Sequence, residues 1–163
     1  MKFTRCLALT GAALVGAAVA SGFPRRIGLS ASEAAVSLPG DLLMPTADTV
    51  LDRGVRIDAS PEIVWRVIEQ AFEDEEASRI LAREENSCLI LSVPTPGFED
   101  EGRTGTVVFA LLPLTPERTL LHLRERHVAA PEASSVALGA RLALESFTAM
   151  RMLWDIKRAA LVL

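Results

Sequence analysis

Five polar residues crowd one short run late in the chain: His122, Arg124, Glu125, Arg126 and His127. In an extended segment side chains alternate between faces, so Glu125 and His127 share a face with Leu121 and Leu123, and His122, Arg124 and Arg126 share the other. A carboxyl and an imidazole on one apolar face are the parts of a proton-transfer pair acting on a bound molecule. The plainer reading is a charged strand end at the rim of a sheet, with His122, Arg124 and Arg126 turned to solvent. The sequence carries no metal-ligand spacing, nucleophile elbow, phosphate-cradling glycine loop or cysteine pair, so Glu125 and His127 are the catalytic candidates and no metal or cofactor is expected. Cys6 and Cys88 are the only cysteines, too few for a zinc cluster or a disulfide framework, and Cys88 sits in an apolar run that reads as core.

The elements that must position these residues follow from periodicity. After Gly54, Val55 and Ile57 alternate with Arg56 and Asp58 as in a half-buried strand. Ser60-Pro61-Glu62 opens a helix with a capping hydroxyl, a proline at the first helical position and an acid in the first turn. Val64, Ile68 and Phe72, with Trp65 beside them, form its buried stripe, and the solvated acidic run Glu73 to Glu76 ends it. Four strands are predicted at 79–84, 87–93, 104–112 and 119–128. A tight turn at Glu85-Asn86 joins the first two, a longer hairpin joins the last two, and a Pro- and Gly-bearing loop over 94–103 separates the pairs. Val107, Phe109 and Leu111 share one strand face and Leu121 and Leu123 another, and the simplest register sets these faces together against a core.

A long helix starting between Pro131 and Val136 closes the chain, and 100° spacing places Ala143, Phe147, Met150, Trp154 and Leu161 on one stripe opposite Arg141, Glu145, Thr148 and Asp155. The expected architecture is α+β: an antiparallel sheet of about five strands packed on this long C-terminal helix.

The chain has 163 residues, 50% of them apolar, enough for one small domain and an apolar leader. Of its 17 basic side chains, Lys2, Arg5, Arg25 and Arg26 fall in the first 26 residues, which hold no acid; 17 less 4 leaves 13 bases against 21 acids, or −8, for the remainder. That balance argues against a nucleic-acid partner, which requires a cationic face. Between the flanking bases, Leu7 to Phe23 is uncharged and rich in small residues, long enough for a short membrane helix, with Ala18-Val19-Ala20 as a signal-peptidase site. Both fates stay open: a single N-terminal membrane anchor, or export after cleavage near Ala20. The expected organisation is residues 1–26 as anchor or signal peptide, 27–47 as a connector with a helical turn near Ser30 to Val36, and 48–163 as the folded domain.

Several runs resemble a known family. Leu38-Pro39-Gly40-Asp41, Ile57-Asp58-Ala59-Ser60-Pro61-Glu62 with Val64-Trp65, Arg118-Thr119 opening the strand of Leu121 and Leu123, and Met152-Leu153 with Ile156-Lys157 look like the SRPBCC superfamily. These are the START-like, helix-grip proteins, often called polyketide cyclase/dehydrase-like. The resemblance covers roughly residues 27 to 160 and is to a shortened member, because only Glu73 to Ser78 stand where relatives place a second helix and further strands. It implies a curved sheet gripping the last helix around an apolar cavity that in relatives holds lipids, sterols, polyketides or other hydrophobic molecules.

On that basis the expected partner is a hydrophobic small molecule or lipid, and the expected lining is Val107, Phe109, Leu111, Leu121, Leu123, Phe147, Met150, Leu153 and Trp154. Two alternatives stand beside the binding module. One is a cyclase- or aromatase-like enzyme using Glu125 or His127; the other is a non-catalytic interaction domain whose cavity has collapsed.

Overall fold

The computed structural model describes residues 22–23, 25–95, 104–128 and 135–163, with residues 104, 135–140 and 142–143 described by backbone alone. Six strands form one sheet: β1 (Arg26–Ile27), β2 (Thr49–Ile57), β3 (Ile80–Glu84), β4 (Cys88–Pro94), β5 (Thr104–Thr115) and β6 (Arg118–His127), in the order β1-β2-β6-β5-β4-β3. Every pairing is antiparallel except β1 on β2, the short parallel strand that takes the count one above the five expected. Three helices accompany the sheet: α1 (Ala31–Ala34), α2 (Pro61–Ala71) and α3 (Ser135–Ala160). The expected membrane segment lies outside the described residues apart from Gly22 and Phe23, and among the described residues no helix is long and apolar enough to cross a membrane.

Local chemistry accounts for the element boundaries. Ser60 stands at the N-cap of α2, but its hydroxyl makes no cap bond; its carbonyl accepts instead from the Ile63 and Val64 amides at 3.1 Å, and Pro61 at the first helical position has no N–H to leave unpaired. Val64, Trp65, Val67 and Ile68 are buried, and Phe72 stacks at a tilt on Phe109 with ring centroids 4.9 Å apart. Asn86 takes a positive φ of 60° in the β3–β4 turn, a conformation its short side chain tolerates. The β5–β6 hairpin closes tighter than expected, at Pro116-Glu117, because β5 runs on to Thr115 through a bulge that absorbs Pro113.

β2 begins six residues earlier than the period-2 pattern suggested. Asp52, Arg53 and Gly54, which precede that pattern, sit in mid-strand. Gly54 is there because residues 28–29 cross it: a Cβ on Gly54 would collide with Leu29, and one on Gly28, at φ +75°, would collide with the Gly54 carbonyl. Residues 28–45 therefore lie along the outer face of the sheet, where Leu38 packs with Cys88, Ile90, Val108 and Ala110.

The other face holds the main core. Val55, Ile57, Leu89, Leu91, Phe109, Leu111, Leu121 and Leu123 meet α2 and the inner side of α3. That inner side is set by Ser146, Leu153, Ile156 and Ala160, not by the bulky stripe expected. Phe147, Trp154 and Leu161 point away from the sheet and are exposed, which corrects Phe147 and Trp154 as lining residues, while Leu153 is fully buried and Met150 half-buried. The buried stripe is built from small and medium side chains, and the large aromatics stand on the opposite side of the helix.

Leu153→Ala is expected to cost about 3 kcal/mol of unfolding free energy through loss of buried area and the cavity left behind. Phe147→Ala, compared by urea denaturation in dilute solution, is expected to cost less than about 0.5 kcal/mol, as for a surface position. Equal losses would place both side chains in the core.

Candidate functional site

The inner face of the sheet divides into a sealed end and a polar end. At the sealed end Phe109, Leu111, Leu121 and Leu123 expose at most 4% each, closed over by Leu153, Ile156 and Trp65. Moving along β6, the residues on that face become Glu125 and His127, paired across to Leu51 and Thr49 on β2. Their neighbours Val93, Val107 and Met150 are only partly buried against the core. Of the predicted lining, Val107, Phe109, Leu111, Leu121, Leu123, Met150 and Leu153 come together on this face, with Val107 and Met150 alone at the unsealed end.

A residue not anticipated from the sequence organises the polar end. Arg53, opposite Leu123 in the β2–β6 ladder, is completely buried under α3. Its Nη1 lies 3.0 Å from Glu125 Oε1, and its Nη2 donates to the Ser146 hydroxyl at 2.7 Å. The signal for it was present: Leu51, Arg53, Val55 and Ile57 continue one period-2 face, with arginine where an apolar residue belongs. An arginine cannot shed its charge on burial, so its site must supply an anion and hydrogen-bond acceptors. Glu125 and Ser146 do so.

The two catalytic candidates are tuned in opposite senses. Burial raises the pKa of the Glu125 carboxyl, Arg53 pulls against that rise, and the nearby Glu145 charge adds to it. His127 is buried, and burial, reinforced by the Arg53 charge, pushes its imidazole down to about 4, so the ring is neutral near pH 7. Its Nδ1 lies 3.4 Å from the Thr95 hydroxyl, and the ring packs so closely on Gly105 that a Cβ there would overlap it. Glu125 and His127 are thus brought to one face as the alternation requires, about 7 Å apart along the strand.

The outer face departs from the expected solvated rim. His122 is fully buried and Arg124 nearly so, under residues 34–45. Asp52 Oδ1 receives His122 Nε2 at 2.8 Å and Arg124 Nε at 2.7 Å. Arg124 also donates to Asp41 Oδ2 at 2.7 Å and to the carbonyls of Ala34 at 2.6 Å and Val36 at 3.0 Å. Arg126 reaches the Met44 carbonyl at 2.9 Å and Asp41 at 3.4 Å. Burial alone would raise the Asp52 pKa, but the His122 and Arg124 donors outweigh it and hold the carboxylate below its ordinary range. This network is structural: every charged group faces a partner from another part of the chain. Cys88 lies buried on the same face, and burial raises its thiol pKa, the opposite of what a nucleophile requires.

Among the described residues no group of three or more His, Cys, Asp or Glu side chains is placed to hold a metal ion. Two open grooves of about 420 Å³ each lie away from the polar end, one along α2 and α3 beside Val67, Met152 and Ile156, the other around Phe23, Arg26 and Arg56.

A mostly antiparallel sheet with a long C-terminal helix laid across its inner face is a helix-grip arrangement. No family model matches the sequence, and no curated protein matches it. Among solved structures the chain is similar to a Mesorhizobium loti protein at 18% identity and a TM-score of 0.48, over 69% of this chain and 96% of that one. It is also similar to the Zhui aromatase/cyclase of a Streptomyces species at 16% identity and a TM-score of 0.42, over 68% and 92%. Norcoclaurine synthase from Thalictrum flavum is similar at 13% identity and a TM-score of 0.45, over 77% and 94%. These likenesses carry no residue's role across.

The shifted histidine makes stability depend on acid. Between pH 6.5 and 4 the unfolded chain takes up a proton at His127 that the folded chain refuses, so stability falls as pH falls through that window and is unaffected by this group above it. Glu125, with its pKa raised on folding, works in the opposite sense, contributing most at low pH and losing that contribution as pH rises. Comparing urea midpoints at pH 7 and 4.5 for the native chain and His127→Gln isolates the imidazole. The variant is expected to lose about 2 kcal/mol less on acidification. Equal losses would show that His127 is not held neutral.

Proposed function

We propose that this chain binds an apolar small molecule or lipid at the polar end of its inner sheet face, against Val93, Val107 and Met150, with the Arg53–Glu125 pair meeting a polar group on that molecule. The observation that carries the reading is the change along one face. Apolar side chains are sealed around Leu121 and Leu123, and remain partly open where a completely buried arginine meets a carboxyl of raised pKa. Desolvation of the ligand's apolar body, at about 25 cal/mol per Å² buried, supplies affinity, and the charged pair supplies orientation. A tether in residues 7–23, or export after cleavage near Ala20, belongs to the same proposal and would set the binder at or beyond a membrane; its support is the uncharged run between flanking bases.

The test is a titration of the full chain with an apolar fluorescent probe. A saturable response is expected, and Val107→Trp or Met150→Trp, which fill the open end, should weaken it at least about tenfold, or about 1.4 kcal/mol. A linear response, or one that both variants leave intact, removes the binding proposal and favours a domain acting only through its surface.

A second reading, a cyclase- or aromatase-like enzyme, is favoured by the opposed shifts of Glu125 and His127, which place a carboxyl of raised pKa on the same face as a neutral imidazole. Deuterium uptake at the α-carbon of an enolisable diketone, followed by NMR, is expected to slow about 100-fold or more in Glu125→Gln and in His127→Ala. Unchanged uptake in both variants would leave the enzyme reading without residues.

A further inference from the structure

The outward side of α3 is organised as well as its buried side. Leu144, Phe147, Arg151, Trp154, Arg158 and Leu161 follow one another at intervals of 3, 4, 3, 4 and 3, the spacing of a coiled-coil seam, over about 25 Å from within α3 to the residue just past its end. All six face away from the sheet. Leu144 and Phe147 expose 74% and 72% of their surface, Trp154 and Leu161 about half, and the side chains of Arg151 and Arg158 84% and 73%. Four large apolar residues in one exposed line on a small domain mark an interaction surface.

The order of residues along that line points to the partner. We propose that this stripe pairs with the same stripe of a second copy of the chain, with the two α3 helices antiparallel about a two-fold axis near residues 152 and 153. In that register each position meets one whose number makes the same total, so Leu144 faces Leu161, Phe147 faces Arg158, and Arg151 faces Trp154 of the other copy. One layer is aliphatic on both sides and the other two set a guanidinium against an aromatic ring, the contact in which arginine and an aromatic face attract. The two-fold then repeats each layer, giving six in all, as a self-complementary interface requires. A parallel pairing would instead set Arg151 against Arg151 and Arg158 against Arg158. The flanking charges suit the antiparallel register: Asp155 lies 3.9 Å from Arg151 and 3.2 Å from Arg158 on its own helix, offsetting the arginines that would otherwise repel across the axis. Trp154 already takes a cation on its ring, with Lys157 Nζ 5.5 Å from the centroid. The surface lies apart from the polar end of the sheet, so the pairing does not depend on what that end binds.

Cysteine cross-linking of the full chain in a Cys6→Ser background, with Cys88 left buried, tests the register. A short bismaleimide is expected to join Leu144→Cys chains to Leu161→Cys chains when the two are mixed, and neither variant to itself. Sedimentation in density-matched detergent is expected to show a dimer that Phe147→Glu or Trp154→Glu converts to monomer, with far-ultraviolet circular dichroism unchanged because both positions are exposed. A Leu144→Cys chain that cross-links to itself would overturn the antiparallel register. A monomer at every concentration, a dimer indifferent to both glutamates, or a stripe protected only by phosphatidylcholine vesicles or by residues 7–23 of its own chain would overturn the proposal.

Discussion

Asp52 and Arg124 form the contact on which the rest of the molecule turns. A charge pair removed from water is tolerable only when its remaining donors and acceptors are met, and here Arg124 meets Asp52, Asp41 and two backbone carbonyls while Asp52 meets both Arg124 and His122. The carbonyls belong to residues 34 and 36, so the same arginine fastens the chain segment that covers the outer face. Without that cover, Ile90, Val108 and Ala110 would face water. The pair also sets the register of β2, because Asp52 and Arg53 are consecutive and must point to opposite faces. Holding Asp52 outward under the strap turns Arg53 inward under α3, and a slip of one residue would exchange them.

Two contacts to β2 place α3 in turn. Arg53 reaches Ser146, and Lys157 Nζ donates to the Arg56 carbonyl at 2.7 Å, eleven residues further along the helix. Between them Leu153 fills the space above Phe109 and Leu121. One end of the inner face can close because its residues are apolar and interdigitate. The other carries Arg53 and Glu125, whose attraction is stronger in a site of low polarizability than in water, and whose unmatched burial costs correspondingly more. The opposed shifts of Glu125 and His127 come from the same source, since burial favours the neutral form of each.

Much of this was legible in the residues. The element order, the four antiparallel strands after α2, and the placing of Glu125 and His127 with Leu121 and Leu123 follow from alternation, which needs only local periodicity. The parts that were not legible depend on contacts between distant segments. Residues 28–45 show no period because they are neither strand nor amphipathic helix; they cover the sheet through carbonyls that Arg124 and Arg126 collect, and side-chain pattern does not report carbonyls. The period-2 run is legible only after Gly54 because two charges and a glycine, as in Asp52-Arg53-Gly54, are each rare in a buried strand. The partners of the two charges lie 70 or more residues away. The inward face of α3 is not legible from side-chain size: Phe147 and Trp154 outrank Ser146 and Ala160 in apolar area, yet the small residues face the sheet.

That inversion on α3 bears on how the buried Arg53 is met. A serine over Arg53 lets the helix come close enough for a hydrogen bond to the guanidinium, whereas a phenylalanine there would hold the backbone away and strand a buried charge. Val93 and Val107, which lie on β4 and β5 beyond β6, stay only partly buried against the core. The charged pair is thus matched by the side of α3 that faces in, where Ser146 meets Arg53 and no aromatic side chain stands between them.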